Sequence, residues 1–304
     1  MVMKWIDVME GKMGFEKQKK EIAVLCKTLL EEGKAPVILG FTRSELGGNF
    51  LPFFMRNAED ADKMEWDDAC TPNLAKYLLE KKDGAAIVAK PCDARAIVMY
   101  MAENQINRDR IYIIGVECEG MKSGDGSPAP GCRECRIKTP PVYDILVKTD
   151  GDIGQNADCP PVSHSNEVEL QAKLERFQKE IKKCILCYSC RQACYGCYCE
   201  TCFMDRSLPN WLPSKLDTGA KMMYHLGRAM HLAGRCVECG ACERVCPSGV
   251  DIRYLIREIT GFCEELYGYQ AGLSTEEVPA LLSFNQGDRE VGFIGGPEKR
   301  ENGG

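Results

Sequence analysis

Apolar positions recur with two different periods along the chain, and the change of period divides it. Phe15 to Glu32 carries Ile22, Leu25, Leu29 and Leu30 near one face, with Gly33 at the expected stop, which predicts a helix. Pro36 to Leu39 predicts a short buried strand, and Asn73 to Lys82 a helix. Asp83-Gly84 turns the chain into a strand over Ala85–Ala89. Pro91 opens the next helix, where its missing N–H is no loss, and that helix runs through Arg95, Ala96, Ile97, Val98 and Met101. Arg110 to Val116 follows as a strand, and Val142 to Val147 as another. Strand, helix and strand on short connections imply a parallel crossover. Residues 120–141, rich in Gly, Ser and Pro, form a loop that carries Cys132 and Cys135.

Beyond residue 160 the period is helical throughout. Asn166 to Lys183 reads as a charged amphipathic helix, Thr218 to Ala233 as a helix rich in Met, Leu and His, and Val250 to Glu265 as one with Ile252, Leu255, Ile256 and Ile259 on its apolar face. The expected fold is therefore an α/β domain with a parallel sheet over 1–160, a connecting helix over 161–183 and an all-α domain over 184–270. An extended tail over 271–304 follows, in which Phe293-Ile294 is either a docking patch for a partner or part of a loose terminus.

Composition changes this picture at one point only. The balance of 44% hydrophobic and 28% charged residues is that of a globular protein, and the net charge of −6 argues against a nucleic-acid binder. Apolar runs such as Ile111–Val116 are far short of the roughly 20 residues a membrane span needs. Met1 to Lys20 has no apolar core of a signal peptide, which predicts a cytoplasmic protein. Against this ordinary background stand 19 cysteines in 304 residues. Seven lie in the first 183 positions and twelve between Cys184 and Cys263. In reducing cytosol such clusters are metal ligands sooner than disulfides.

Two runs share one spacing: Cys184-x2-Cys187-x2-Cys190-x3-Cys194 and Cys236-x2-Cys239-x2-Cys242-x3-Cys246-Pro247. This is the ligand run of cubane iron–sulfur clusters, in which a short loop wraps three corners of one cubane and the fourth thiolate reaches the other. The crossed assignment gives Cys184, Cys187, Cys190 and Cys246 to one [4Fe–4S] cluster, and Cys194, Cys236, Cys239 and Cys242 to the second. Zinc sites favour paired knuckles, often with His, over this run. Cys197, Cys199 and Cys202 follow directly; they are either alternative ligands, part of an additional metal site, or unligated buried thiols. In the first half, Cys92 and Cys118 stand where two strands end, and Cys132 and Cys135 in the loop beyond. Strand ends of an open parallel sheet face one crevice, so these four thiols are candidates for a third metal centre.

The run Arg228 to Pro247 resembles the α-helical dicluster ferredoxin modules of heterodisulfide reductases and related dehydrogenases. The series Pro91-Cys92, Cys118-Glu119-Gly120 and Cys132-x2-Cys135 resembles the beta-subunit family of deazaflavin-reducing hydrogenases and formate dehydrogenases. That second resemblance implies a flavin, usually FAD, with an iron–sulfur cluster nearby. Gly40 to Asn49, with Thr42, Arg43, Gly47 and Gly48, together with Lys90 and the helix opening at Pro91, are the positions offered for the flavin and its phosphates. His225 and His231, six residues apart on one helix, are read as packing residues. No Ser-His-Asp set, carboxylate pair or Walker motif stands out. The expected function is an iron–sulfur electron-transfer subunit of an anaerobe's oxidoreductase complex, partnered by a hydrogenase, formate dehydrogenase or heterodisulfide-reductase-like subunit. The alternative is a flavoenzyme subunit that exchanges hydride with a deazaflavin or nicotinamide and passes single electrons to its clusters.

Overall fold

The computed structural model describes residues 2–48, 50–81, 83–150, 153, 170–208 and 217–283. Cys159, the start of the expected connecting helix and the Phe293-Ile294 patch lie outside the described residues.

A long first helix, α1 (Val2–Glu31), precedes a five-stranded sheet. The strands are β1 (Ile38–Arg43), β2 (Phe50–Met55), β3 (Ala85–Ala89), β4 (Ile111–Val116) and β5 (Ile145–Val147), in the spatial order β2-β1-β3-β4-β5. β1, β3, β4 and β5 run parallel, while β2 lies antiparallel to β1, so the sheet is mixed rather than purely parallel. β2 was not expected; Pro52 sits in its middle. A proline cannot donate to a ladder and is tolerated on an edge strand, which is where β2 lies. β1 also reaches further than Leu39, so Gly40, Phe41, Thr42 and Arg43 belong to the strand and only Ser44–Gly48 to the loop. All five residues of central β3 are buried, as a strand covered on both faces requires.

The expected helix over 73–82 is a 3-10 turn, Ala75–Glu80. Its first N–H groups are taken by side chains: Asp93 accepts from Leu74 N at 2.7 Å and Asn73 from Ala75 N at 3.1 Å. The same Asp93 stands at the third position of α2 (Pro91–Ala102) and accepts from the Lys90 N–H at 2.9 Å, closing the helix start.

From residue 170 onward the described elements are all helical: α3 (Leu170–Lys182), α4 (Ser189–Ala193), α5 (Thr218–His231), α6 (Ala241–Arg244) and α7 (Ile252–Tyr267), with short 3-10 turns. Asp217 caps α5 and Asp251 caps α7 through their carboxylates. The two halves share buried surface. Tyr195, Val237, Tyr269 and Ala271 belong to the core of the sheet half. Arg95 on α2, itself buried, donates to the Ala271 carbonyl at 2.8 and 3.0 Å and to the Val237 carbonyl at 3.2 Å. Ala271, the first residue of the expected tail, is thus held against α2. No helix among the described residues is long and apolar enough to cross a membrane.

Candidate metal centre

The two cysteine runs fold into loops of the same backbone. In the first, Leu186 and Tyr188 have φ of 51° and 59°; in the second, Glu238 and Gly240 have 55° and 71°. These are the second and fourth residues after the leading cysteine in each run. The N–H of each second residue donates to that cysteine's Sγ, Leu186 to Cys184 at 3.3 Å and Glu238 to Cys236 at 3.4 Å. A non-glycine residue in the left-handed region costs on the order of 1–2 kcal/mol, and three stand here at equivalent places. Such strain persists where the loop is shaped around something.

Several of these thiols lie near one another, while Cys187 stands apart. Cys184 lies near Cys190 and Cys246, and burial together with those neighbours pushes it up. Cys236 is raised by burial and by Glu238, Cys239, Cys242 and Cys194 around it. Cys242 is pushed up to about 12 by burial, with Cys194, Cys239 and Cys190 adding to the shift and Arg228 opposing it. Cys187 is exposed, and the Ser189 hydroxyl 3.4 Å from its sulfur holds it below the ordinary thiol value. Buried thiols with raised pKa values are poor anions alone; deprotonation by a bound metal supplies the missing counter-charge. Among the described residues no three His, Cys, Asp or Glu side chains converge as a single ion demands. A zinc ion needs ligands about 2–2.3 Å from one point, whereas a cubane offers each thiolate its own iron corner.

Helix α5 backs this centre. Tyr224 Oη is 3.4 Å from Cys190 Sγ, and His225 Nε2 is 3.3 Å from Cys184 Sγ. Arg228 Nη2 donates to the Cys190 carbonyl at 3.2 Å, and its guanidinium also meets Cys194 and Cys197. Its Nε, buried, has no hydrogen-bond partner. An orphaned buried donor among thiols is what a sulfide-bearing cluster would satisfy. Burial, then the Arg228 charge, push His225 down to about 4, so its ring is neutral. Sequence reading assigned His225 to packing and passed over Tyr224 and Arg228. The signal was their spacing of i, i+1 and i+4, which puts all three on the side of the helix that meets the first run.

In the sheet half, the ends of β3 and β4 bring Cys92 and Cys118 together, and the following loop adds Cys132 and Cys135; all four line one cavity. The same cavity is lined by Cys239 from the second run. Burial raises Cys92 well above its ordinary value and Cys118 to about 12. Lys90 reaches this cavity fully buried, its Nζ 2.9 Å from Asp93 Oδ2 and 2.9 Å from the Pro72 carbonyl. Burial opposes its charge, and Asp93 and Cys92 outweigh that, so its pKa stands above normal. The loops of the two halves meet without side chains between them. A Cβ on Gly240 would fall on the Pro130 carbonyl, and one on Gly131 would lie 2.6 Å from the Glu238 carbonyl. Arg244 seals the contact by donating to the Pro130 carbonyl at 2.9 Å, the Cys239 carbonyl at 2.6 Å and the Thr71 carbonyl at 2.8 Å.

No family model matches the chain. It is similar to the F420-dependent formate dehydrogenase subunit beta of Methanocaldococcus jannaschii, 21% identical over 363 aligned positions that take in 87% of this chain and 94% of the relative. It is also similar to the F420-dependent formate dehydrogenase 1 subunit beta of Methanococcus maripaludis, 24% identical over 365 positions, 86% of this chain and 92% of the relative. Both alignments span the sheet half and the helical half together rather than one of them.

The residues offered for a flavin do not form a common site. Thr42 Oγ1 donates to the Lys63 carbonyl at 3.1 Å. Arg43 pairs with Asp67 at 3.5 Å and lies over the Phe50 ring. Gly48 borders a groove of about 760 Å3 between the two halves, whereas Lys90 lines the thiol cavity. The cations on the groove are also committed: Lys122 to Asp68 at 2.7 Å, Arg244 to three carbonyls and Lys76 to the Gln192 carbonyl. These side chains thus already have partners within the chain. Of the three extra thiols, Cys197 donates to Cys194 and is pushed up by doing so, Cys202 meets Arg191, and Cys199 is exposed. All three line one groove of about 610 Å3, beside Arg191 and Arg228.

Proposed function

We propose that the chain is an iron–sulfur electron-transfer subunit of an oxidoreductase complex, holding two [4Fe–4S] clusters with crossed ligation and a third at Cys92, Cys118, Cys132 and Cys135. When bound, such clusters supply one-electron transfer. The carrying observation is the shared cavity: the sheet-half thiols and Cys239 of the second run line the same space, and Cys242 of that run lies near Cys190 of the first. The protein's own part is to hold three thiol groups in succession, from a buried cavity to a surface loop. Lys90 and Arg244 set positive charge beside the inner thiols. Pro130–Gly131 packs closely on Gly240 between the inner two groups. The exposed Cys187 and Ile185 put the first run within reach of a partner.

The relatives named as formate dehydrogenase beta subunits support a place beside a catalytic subunit of a formate dehydrogenase complex. Anaerobic purification with iron, sulfide, zinc and flavin analysis tests the reading. Iron and sulfide for three cubanes, with less than about a tenth of an equivalent of flavin or zinc, is the expected result. Zinc in place of iron and sulfide would overturn it.

A further inference from the structure

The described surface of α5 is two-sided in an unusual way. Its inward side carries Tyr224, His225 and Arg228, all buried and all polar, at a position where a core helix would be apolar. Each reaches a ligand thiol or its carbonyl. Tyr224 meets Cys190 and His225 meets Cys184, both in the first crossed set. Arg228 meets the Cys190 carbonyl and, on its other side, Cys194 of the second set. Burying three such groups is costly unless each finds a partner. Packing alone would be met by Phe, Leu and Met at these places.

A donor aimed at a ligand sulfur turns the positive end of its dipole toward the charge that a reduced cluster gains, and so raises the cluster's potential. A guanidinium does the same with a full charge, and over a longer range. Cys236 and Cys239 of the second set are met by backbone N–H groups, of Glu238 and of Ala241.

We propose that α5 sets the potentials of the two helical-half centres, with Tyr224 and His225 acting on the first alone and Arg228 on both. The inference rests on the cluster reading above. It makes these three positioning residues, acting through the ligands rather than on any substrate.

The test is a reductive titration of the full chain, prepared anaerobically and followed by electron paramagnetic resonance. Cys187→Ala identifies the first centre's signal by its loss, and Cys236→Ala the second's. Tyr224→Phe keeps the ring against Tyr188 and removes only the hydroxyl; it should lower the first midpoint and leave the second in place. His225→Leu should do the same, and His225→Gln, which keeps an N–H donor, should restore part of the shift. Arg228→Met should lower both midpoints, and Arg228→Lys should restore part of both. Full iron content with unmoved midpoints, or a Tyr224→Phe shift confined to the second signal, overturns the tuning role and leaves the clusters standing. Iron too low for two cubanes in the unmodified chain overturns the cluster reading and this inference together.

Discussion

The two cysteine runs share a spacing and a backbone, yet they face different ways. The first leaves Ile185 and Cys187 exposed, and its backing comes from polar side chains of α5. The second is sealed under the sheet half by Pro130, Gly131, Arg95 and Arg244. Its fourth turn residue is Gly240, where the first run has Tyr188. The same left-handed turn therefore accepts a tyrosine when it faces the helical half and only a glycine when another loop lies across it. A duplicated motif has become a polarised one through what packs on it.

Removing ligands should expose that polarity most strongly. Cys239 is half-buried, borders the sheet-half cavity and belongs to the second run, so Cys239→Ala should lose about one cluster's iron and also loosen the contact between the halves. Cys187→Ala should lose about as much iron while leaving that contact intact. Iron analysis and limited proteolysis read the two effects separately. Equal proteolytic sensitivity of the two variants would dissolve the distinction.

Next come substitutions of the fourth turn residue. Gly240→Val drives a branched side chain into the Pro130 carbonyl in a backbone region closed to it, and should cost more than about 3 kcal/mol. Tyr188→Gly relieves a positive φ but loses the ring's packing on the helical core, its edge contact with Tyr224 and the Arg191 guanidinium over it, so it should destabilise by about 1–2 kcal/mol, less than Gly240→Val. Denaturant midpoints measured anaerobically compare the two. Arg95→Ala ranks third: three buried hydrogen bonds from a charged donor should cost about 2–4 kcal/mol, with the larger loss at the segment after α7. Hydrogen exchange around Ala271 would show whether that segment is released.

Much of this was legible in the sequence, for identifiable reasons. Ala85–Ala89 and Pro91 onward were read correctly because a continuous apolar run and a proline at a helix start are local signals. The placement of Cys92, Cys118, Cys132 and Cys135 on one cavity followed from one rule about strand ends in parallel sheets. β2 was not expected, and it carries Pro52, whose tolerance depends on being at the sheet edge, a fact of topology rather than sequence. The surroundings of the flavin positions were hidden for the same kind of reason. Lys90 looks available in the chain, but Asp93, three residues on, folds back to take both its N–H and its ammonium. His225 was read as packing because two histidines six apart share no face; its partner is a cysteine 41 residues away. Partnerships made at long range are invisible to local pattern.

The smallest expected effect bears on the strain itself. Glu238 holds a φ of 55° and pairs with Arg257 at 3.1 Å across a half-buried edge. Loss of that pair should cost no more than about 1 kcal/mol. Glycine at 238 would lose the pair and remove the left-handed penalty, so the two changes should nearly cancel. Asparagine, which tolerates this region better than most residues, should fall close behind. Alanine loses the pair without relief, and valine adds a branched Cβ to a conformation that excludes it. The order of stability at 238 should then run glycine, asparagine, alanine, valine, over a range of about 2 kcal/mol. The mirrored position in the first run, Leu186, should respond differently, because its side chain packs on the helical core and glycine there loses that burial. A flat series at 238 would mean that the second loop relaxes out of the left-handed turn once its cluster is bound, and that the shared backbone of the two runs is not what positions their thiols.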